Sequence, residues 1–274
     1  METEHLTIDH DGLSFDVHLS GPARGPVAVL LHGFPVDSRC WDEVIPRLHE
    51  SGLRTVAIDQ RGYSPGARPD AVDDYALDKL TGDVLAVLGH LNIAYSMVVG
   101  HDWGGIVAWH LAAKNPDRFT SLVAISTGHP SAARDALTAG DQRDKSSYIK
   151  WFVQPDAEEK LTADGGSVLR EFGLTDDEIA SLLEPGALTG GLNWYRANFT
   201  GDIATKLACP PVEIPTTMVW SDQDPVLGRT QAELSGRYAY GDYRYSVIDG
   251  VDHWAPQKAP AAVASEIALR SSMF

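Results

Sequence analysis

Short apolar runs rich in β-branched residues alternate with helical patterns along most of this chain, and this alternation constrains the fold most. Such runs are typical of strands buried on both faces of a parallel sheet. They lie at residues 27–31, 55–58, 97–99, 122–125 and 217–220. Helical patterns of apolar residues lie between them, as at 77–91 and 104–114. The alternation predicts an α/β fold with a mostly parallel sheet flanked by helices, and weaker patterns at 6–8 and 15–19 predict an antiparallel hairpin at its edge.

The strand rhythm stops after Ser126 and resumes at Thr216. The sequence between these residues is helical in pattern. It is interrupted by the turn signals Gly165-Gly166, Pro185-Gly186 and Gly190-Gly191. We therefore predict a core domain of residues 1–128 and 213–274, with a helical cap domain of residues 129–212 inserted after the sixth strand.

The charge balance of the 274 residues excludes some partners. With 22 Lys and Arg against 38 Asp and Glu, the formal net charge is −16, which repels nucleic acid and anionic membranes. We expect a cytoplasmic protein, because no signal peptide and no apolar run of about 20 residues is visible. The two cysteines, Cys40 and Cys209, are expected to be ordinary buried or partly buried thiols. The sequence leaves a monomer and a homodimer both open.

The segment Gly100-His101-Asp102-Trp103-Gly104-Gly105 follows one predicted strand directly and precedes a predicted helix. A small residue on each side of a central nucleophile is typical of the nucleophile elbow, a sharp strand-to-helix turn with no room for Cβ atoms at those positions. The helix N-terminus below such a turn favours negative charge. This pattern predicts Asp102 as a nucleophile, the alternative being an Asp that only caps the helix.

A second loop, His32-Gly33-Phe34-Pro35, follows the predicted strand at 27–31. In folds with a nucleophile elbow, this loop supplies one backbone N–H of the oxyanion hole, and the residue after the nucleophile supplies the other. The predicted donors are therefore the N–H groups of Phe34 and Trp103.

An acid and a base follow Asp102 in the chain order that this fold requires. Asp224 precedes Pro225 after the predicted strand at 217–220, and His253 follows the last predicted strand. We predict that Asp224 orients His253 and stabilises its cationic form. Asp222 is the alternative acid.

Together these motifs resemble those of the α/β-hydrolase-fold epoxide hydrolases, and the likeness runs through the whole chain. Two of the motifs, at 32–35 and 100–105, also admit haloalkane and fluoroacetate dehalogenases. The motifs are HGFP at 32–35, DQRGYS at 59–64, GHDWGG at 100–105, the acid-Pro turn at 224–225 and GVDHW at 250–254. Asp224 is preferred to Asp222 as the acid only because its position directly before Pro225 resembles that of the acid in the epoxide hydrolase family.

The resemblance implies two tyrosines in the cap that donate hydrogen bonds to an epoxide oxygen. Tyr195 lies in Asn193-Trp194-Tyr195-Arg196, which matches a family motif directly, and Tyr148 lies shortly before a Phe and a Pro. Phe34, Trp103 and Phe152 are expected to contact the substrate. Many relatives carry Glu directly after HGFP, where this chain has Val36. Either Asp37 replaces that Glu, or His253 and His101 alone position the hydrolytic water.

The implied reaction converts an epoxide to a vicinal diol through an ester on Asp102, which water activated by His253 then hydrolyses. A phenol suits the basic alkoxide leaving group, whereas a halide needs only weak N–H donors. The expected partners are a small-molecule epoxide and water, with no metal or organic cofactor. The alternatives are a haloalkane or haloacid dehalogenase with the same Asp-His-Asp triad, and a non-catalytic binding protein on this fold.

Overall fold

The structure, a computed structural model, describes residues 3–273. Within these residues, eight strands form one sheet. They are β1 (Glu4–His10), β2 (Leu13–Ser20), β3 (Val27–Leu31), β4 (Arg54–Ile58), β5 (Ser96–His101), β6 (Phe119–Ile125), β7 (Thr216–Ser221) and β8 (Tyr243–Ile248). Their spatial order is β1-β2-β4-β3-β5-β6-β7-β8. β1 and β2 form an antiparallel hairpin at one edge, β2 is antiparallel to β4, and the other neighbours are parallel, which confirms both predictions.

Helices cover both faces of this sheet. Those of the predicted core are α1 (Ile45–Glu50), α2 (Leu77–His90), α3 (Trp103–Lys114), α11 (Arg229–Leu234), α12 (Ala255–Lys258) and α13 (Pro260–Ser271). Alternate residues of β3 point into two separate apolar layers. Leu31 packs in the layer that contains residues of α2 and α3, and Leu30 packs in the layer that contains residues of α1 and α13. Burial on both faces explains why the strands are continuously apolar.

The chain between β6 and β7 is helical throughout its regular structure. The helices are α4 (Pro130–Ala139), α5 (Gln142–Lys145), α6 (Ile149–Phe152), α7 (Ala157–Glu171), α8 (Asp176–Leu182), α9 (Ala187–Asn198) and α10 (Ile203–Lys206). α7 is kinked at residues 163–166, whose backbone is not helical, so one predicted turn signal lies in the kink. Near the predicted ends of the insertion, His129 Nε2 lies 3.0 Å from the Pro210 carbonyl, and Val212 bridges to Ala239. The domain division at 129–212 stays a proposal.

The turn predicted at Gly190-Gly191 is wrong, because both glycines lie inside α9. Their lack of a side chain allows close packing. A Cβ on Gly190 would lie 2.6 Å from the Cα of Gly62, and one on Gly191 would lie 2.9 Å from a ring carbon of Phe34. The glycine pair therefore brings α9 against the loops that follow β3 and β4.

Hydrogen bonds also fix α9 to the core. The Trp194 indole N–H donates to the Arg61 carbonyl at 2.8 Å, and the Asn198 amide bonds the backbone of Tyr75 and Leu77 at 3.0 Å each. All of these contacts are buried or nearly so. Because these hydrogen bonds hold the C-terminal half of α9 and the glycine pair packs its middle, α9 has a defined position against the core.

Arg61 is itself held by a buried ion pair. Its Nε and Nη2 donate to the two carboxylate oxygens of Asp83 at 2.8 and 2.7 Å, and the two side chains are 3% and 5% exposed. We expect Asp83→Ala to lower the free energy of unfolding by about 3–5 kcal/mol, because it leaves a buried guanidinium without its counter-charge. Denaturant titration measures this change. Asp70→Ala, at an exposed residue, is the control, and an equal effect of the two variants would contradict the prediction.

Two smaller expectations concern membranes and cysteines. Between residues 3 and 273, no helix is long and apolar enough to cross a membrane. Cys40 and Cys209 are both free and buried, as predicted.

Candidate active site

Asp102 sits between the last residue of β5 and the first residue of α3. Its backbone has φ 53° and ψ −119°, a conformation that costs free energy in a non-glycine residue. The flanking glycines allow the turn. A Cβ on Gly100 would lie 2.1 Å from the Gly104 carbonyl oxygen, and one on Gly104 would lie 2.1 Å from the Leu31 carbonyl oxygen. This geometry matches the strand-to-helix turn predicted from the sequence.

The carboxylate of Asp102 does not cap α3, because its side chain makes no capping hydrogen bond to that helix. Instead, Oδ1 accepts a hydrogen bond from the Phe34 N–H at 3.0 Å. Oδ2 lies 3.5 Å from His253 Nε2. With 7% of its surface exposed, Asp102 presents its carboxylate to a cavity rather than to bulk water.

His253 lies between two carboxylates. Its Nδ1 is 2.8 Å from Asp224 Oδ2, on the side of the ring opposite Asp102. The other oxygen of Asp224 accepts hydrogen bonds from the N–H groups of Val226 and Leu227, both at 2.8 Å. Asp222 instead accepts from the Gly250 N–H at 2.6 Å. The structure thus brings Asp224, and not Asp222, against the histidine.

The two carboxylates control the pKa of His253. Burial lowers it, but the charge of Asp224 and hydrogen bonds to Asp102 and Asp224 outweigh burial and raise the pKa to about 10. Burial raises the pKa of Asp224, but the charge of His253 and the hydrogen bonds to Asp224 lower it to a net value below normal. At neutral pH the resting site therefore holds an imidazolium between two carboxylates.

The two predicted oxyanion donors are near Asp102. The Phe34 N–H already donates to Oδ1. Trp103 is the first residue of α3, so its N–H has no acceptor within the helix. Their role in catalysis stays a proposal.

Tyr148 and Tyr195 reach the same cavity from the insertion. Their ring centroids are 6.2 Å apart. Tyr195 is carried by α9, whereas Tyr148 ends a short helical turn directly before α6. Both line a cavity of about 210 Å³ together with Asp102 and His253. The carboxylate lies on the wall formed by the strand ends, and the two phenols lie on the wall formed by the insertion.

Both tyrosines stay protonated at neutral pH. Burial and the charge of Asp102 raise the pKa of the Tyr148 hydroxyl. Burial, together with Tyr148 and Asp102, raises the pKa of the Tyr195 hydroxyl well above its ordinary value. Two protonated phenols therefore line the same cavity as the Asp102 carboxylate.

Of the three residues predicted to contact substrate, Phe34 and Phe152 line the cavity and Trp103 does not. The Trp103 ring is 1% exposed and packs edge-on against Trp194 and Tyr195, with centroids 5.6 and 5.1 Å away. The Trp103 ring therefore packs against the Tyr195 ring outside the cavity.

Several cavity residues were not found from the sequence. They are Pro35, Glu171, Phe172, Pro225, Val226, Asp252 and Trp254. Those next to the predicted catalytic residues could have been inferred from adjacency, since Trp254 directly follows His253. Glu171 and Phe172 follow the kink in α7 and belong to no motif that would have indicated them.

Neither Val36 nor Asp37 lines the cavity. Val36 is buried, and Asp37 is bonded to the Arg39 side chain at 2.6–3.1 Å and lies outside the cavity. His101 is fully buried, and its Nε2 lies 2.8 Å from the His253 carbonyl. Burial and the charge of His253 lower the pKa of His101 to about 4. A neutral His101 therefore holds the backbone of the histidine loop.

No cluster of three or more His, Cys, Asp or Glu side chains that could hold a metal ion exists among the residues that the structure describes. The groups gathered at the cavity are carboxylates, phenols and an imidazolium. This set suits attack by a carboxylate, donation of protons to a leaving oxygen and activation of water.

Comparison with known proteins gives consistent results. A family model for the alpha/beta hydrolase fold matches residues 26–259. The AB hydrolase superfamily protein YfhM of Bacillus subtilis is 35% identical over 271 residues, covering 93% of each chain. Epoxide hydrolase A of Mycobacterium tuberculosis is 31% identical, covering 97% of this chain and 96% of that protein. The crystal structure of epoxide hydrolase VrEH1 from Vigna radiata superposes with a TM-score of 0.83 at 28% identity, covering 100% of this chain and 99% of that chain.

Proposed function

Since this chain belongs to the α/β-hydrolase-fold epoxide hydrolases, we propose that it hydrolyses epoxides, in two covalent steps through Asp102 and His253. The observation that supports the proposal is that the Asp102 carboxylate and the phenols of Tyr148 and Tyr195 line one cavity. A nucleophile on one wall and proton donors on the other suit displacement at a ring carbon, because the leaving oxygen departs away from the attacking group.

In the first step, Oδ2 of Asp102 attacks one epoxide carbon. The carbon–oxygen bond of the ring breaks, and its electron pair stays on the ring oxygen. That oxygen takes a proton from Tyr148 or Tyr195, so a phenolate forms in place of a strongly basic alkoxide. The product of this step is an ester between the opened substrate and Asp102.

Formation of the ester changes the charge around His253. The resting imidazolium cannot act as a base, because Asp102 and Asp224 together raise its pKa to about 10. Esterification removes the negative charge of Asp102, which is one of the causes that raise the pKa of His253. The lowering effect of burial is then less fully offset, so the pKa of His253 falls. The imidazolium then gives up its proton, and the phenolate is reprotonated. Both groups are thereby set for the second step.

In the second step, neutral His253 takes a proton from water, and the resulting hydroxide attacks Cγ of Asp102. The oxyanion that forms on Oδ1 is already next to the Phe34 N–H, 3.0 Å away, and the N–H of Trp103 is the proposed second donor. Collapse of this intermediate breaks the bond between Cγ and the substrate oxygen. The departing alkoxide takes the proton of the hydroxyl that came from water, so the diol is released and Asp102 is again a carboxylate. His253 keeps the proton that it took from the water, so the resting imidazolium returns.

A dehalogenase is the less well supported reading. In dehalogenases of this fold, the ring of the residue after the nucleophile binds halide. Here that residue is Trp103, and its ring packs outside the cavity. Nothing in a halide displacement calls for two phenols in the site.

Replacing both tyrosines by Phe tests the proposal. We expect Tyr148→Phe and Tyr195→Phe each to lower kcat/KM for styrene oxide about 10- to 100-fold, and the double variant about 10²–10⁴-fold, the usual contribution of general acid catalysis. The wild type should form phenylethanediol from styrene oxide. Diol is quantified by chromatography under initial-rate conditions.

Tyr95→Phe is the matched control, because Tyr95 is 67% exposed and lies outside the cavity. It should retain the wild-type rate. Wild-type activity of the double variant on styrene oxide would contradict the role of the phenols. If the double variant released halide from a bromoalkane faster than it opened the epoxide, the dehalogenase reading would gain support.

A further inference from the structure

The size of the cavity limits the substrate. An apolar cavity of roughly 150 Å³ is enough to bind benzene. The cavity of about 210 Å³ therefore leaves roughly 60 Å³ beyond a benzene site, about two water volumes. A three-membered epoxide ring fits in such a remainder, whereas a second six-membered ring would extend out of the mouth of the cavity.

The walls of the cavity suit a flat apolar group. Aromatic rings surround it at edge-to-face distances. The Phe152 ring lies 5.3 Å from Phe34, 5.1 Å from Tyr195 and 6.2 Å from Phe172. Trp254 forms another part of the wall, and its indole N–H donates to the Phe172 carbonyl at 2.6 Å. Edge-to-face contacts of this kind favour an aromatic ring in the remaining space.

The charged groups of the cavity wall, apart from the catalytic residues, are two carboxylates, Glu171 and Asp252. Asp252 is paired with the Lys258 ammonium at 2.5 Å, which offsets its charge. Glu171 is exposed, and within residues 3–273 its side chain has no ion-pair or hydrogen-bond partner. Its negative charge therefore repels an anionic substrate that enters the cavity. The formal net charge of the chain, −16, acts in the same direction.

We propose that the substrate is a small uncharged epoxide with a single aromatic ring, and that Glu171 selects against epoxides that carry a carboxylate. This proposal rests on the proposed function, because it concerns the same cavity. Selection against a second ring follows from the cavity volume, and selection against a carboxylate follows from Coulomb repulsion by Glu171. The two kinds of selection have separate physical causes and are measured separately.

Three epoxides test the proposal on the purified full-length enzyme: styrene oxide, its 4-carboxylate derivative and trans-stilbene oxide. We expect kcat/KM for styrene oxide to exceed that for each of the other two at least about tenfold. If none of the three is hydrolysed, the proposed function fails. If styrene oxide is hydrolysed and the carboxylate derivative is hydrolysed equally well, only the charge selection is overturned. Equal hydrolysis of stilbene oxide overturns the size limit.

Glu171→Gln assigns the charge selection to one residue. The readout is the ratio of kcat/KM for the carboxylate derivative to that for styrene oxide. We expect this ratio to rise about threefold to tenfold, as for loss of a unit charge several ångströms away in a largely aqueous mouth. Raising the salt concentration to about 1 M should bring the ratios of the variant and the wild type closer together, because salt screens the charge of Glu171.

Glu159→Gln is the matched control. Glu159 is exposed on the part of α7 before the kink and lies outside the cavity, so the ratio should not change. An unchanged ratio in Glu171→Gln, or an equal change in both variants, overturns the role of Glu171.

Discussion

Asp102→Ala is expected to form no diol, with kcat at least about 10⁴-fold below the wild type. The variant has no group that can bond to the epoxide carbon. His253 is not expected to replace it, because in the proposed scheme His253 activates water only for attack on the ester, and this variant forms no ester. Diol formation from styrene oxide over several hours measures the loss.

A control variant and an isotope-labelling experiment distinguish loss of the nucleophile from loss of the folded structure. Asp222→Ala is the matched control, since Asp222 bonds the Gly250 N–H rather than His253 and should leave the rate within a few-fold of the wild type. A single turnover of the wild type in ¹⁸O-labelled water should also place labelled oxygen in the peptide that contains Asp102. Diol at more than about 1% of the wild-type rate in Asp102→Ala, or label only in the diol, would contradict attack by this carboxylate.

His253→Gln is expected to stop the reaction after the first step. Asp102 and both phenols are unchanged in this variant, so one equivalent of epoxide should be consumed and should stay bound as an ester. Because no base remains to activate water, steady-state turnover should fall about 10³–10⁴-fold. Mass spectrometry of the intact protein should show an increase equal to the mass of the epoxide, and digestion should locate it on the peptide that contains Asp102.

His90→Gln, at an exposed histidine of α2, provides the control and should turn over normally without a persistent adduct. If His253→Gln consumed no epoxide at all, the histidine would be required for ring opening as well. Continued turnover at the wild-type rate would remove His253 from the mechanism. Either result would overturn the two-step scheme.

The sequence was most informative where backbone geometry restricts the residue type. Only glycine fits at 100 and 104, because a Cβ at either position would meet a carbonyl oxygen at 2.1 Å. The elbow was therefore predictable from six adjacent residues. The partners of Asp102 were predictable for a similar reason, since Asp224 and His253 each follow a strand that ends at the same edge of the sheet.

The sequence was least informative where packing between distant segments decides the outcome. Two adjacent glycines are typical of a turn, but Gly190 and Gly191 lie inside α9. Their lack of side chains lets this helix pack closely against Gly62 and Phe34. Glu171 and Phe172 line the cavity after a bend in α7 at residues 163–166. Such contacts depend on three-dimensional distances that no local pattern encodes. The high pKa of His253 likewise depends on two carboxylates from distant parts of the chain.

The different anchoring of α7 and α9 has a consequence for how this enzyme can evolve. Tyr195 is on a helix whose neighbours, Trp194 and Asn198, are bonded to the core, so changes there disturb the chemistry and the packing together. Glu171 and Phe172 follow a bend and meet the core through the bond from the Trp254 indole to a backbone carbonyl, which does not depend on either side chain. We therefore expect substitutions at these two positions to alter substrate preference while the reaction itself is preserved, which makes them the first positions to randomise in directed evolution.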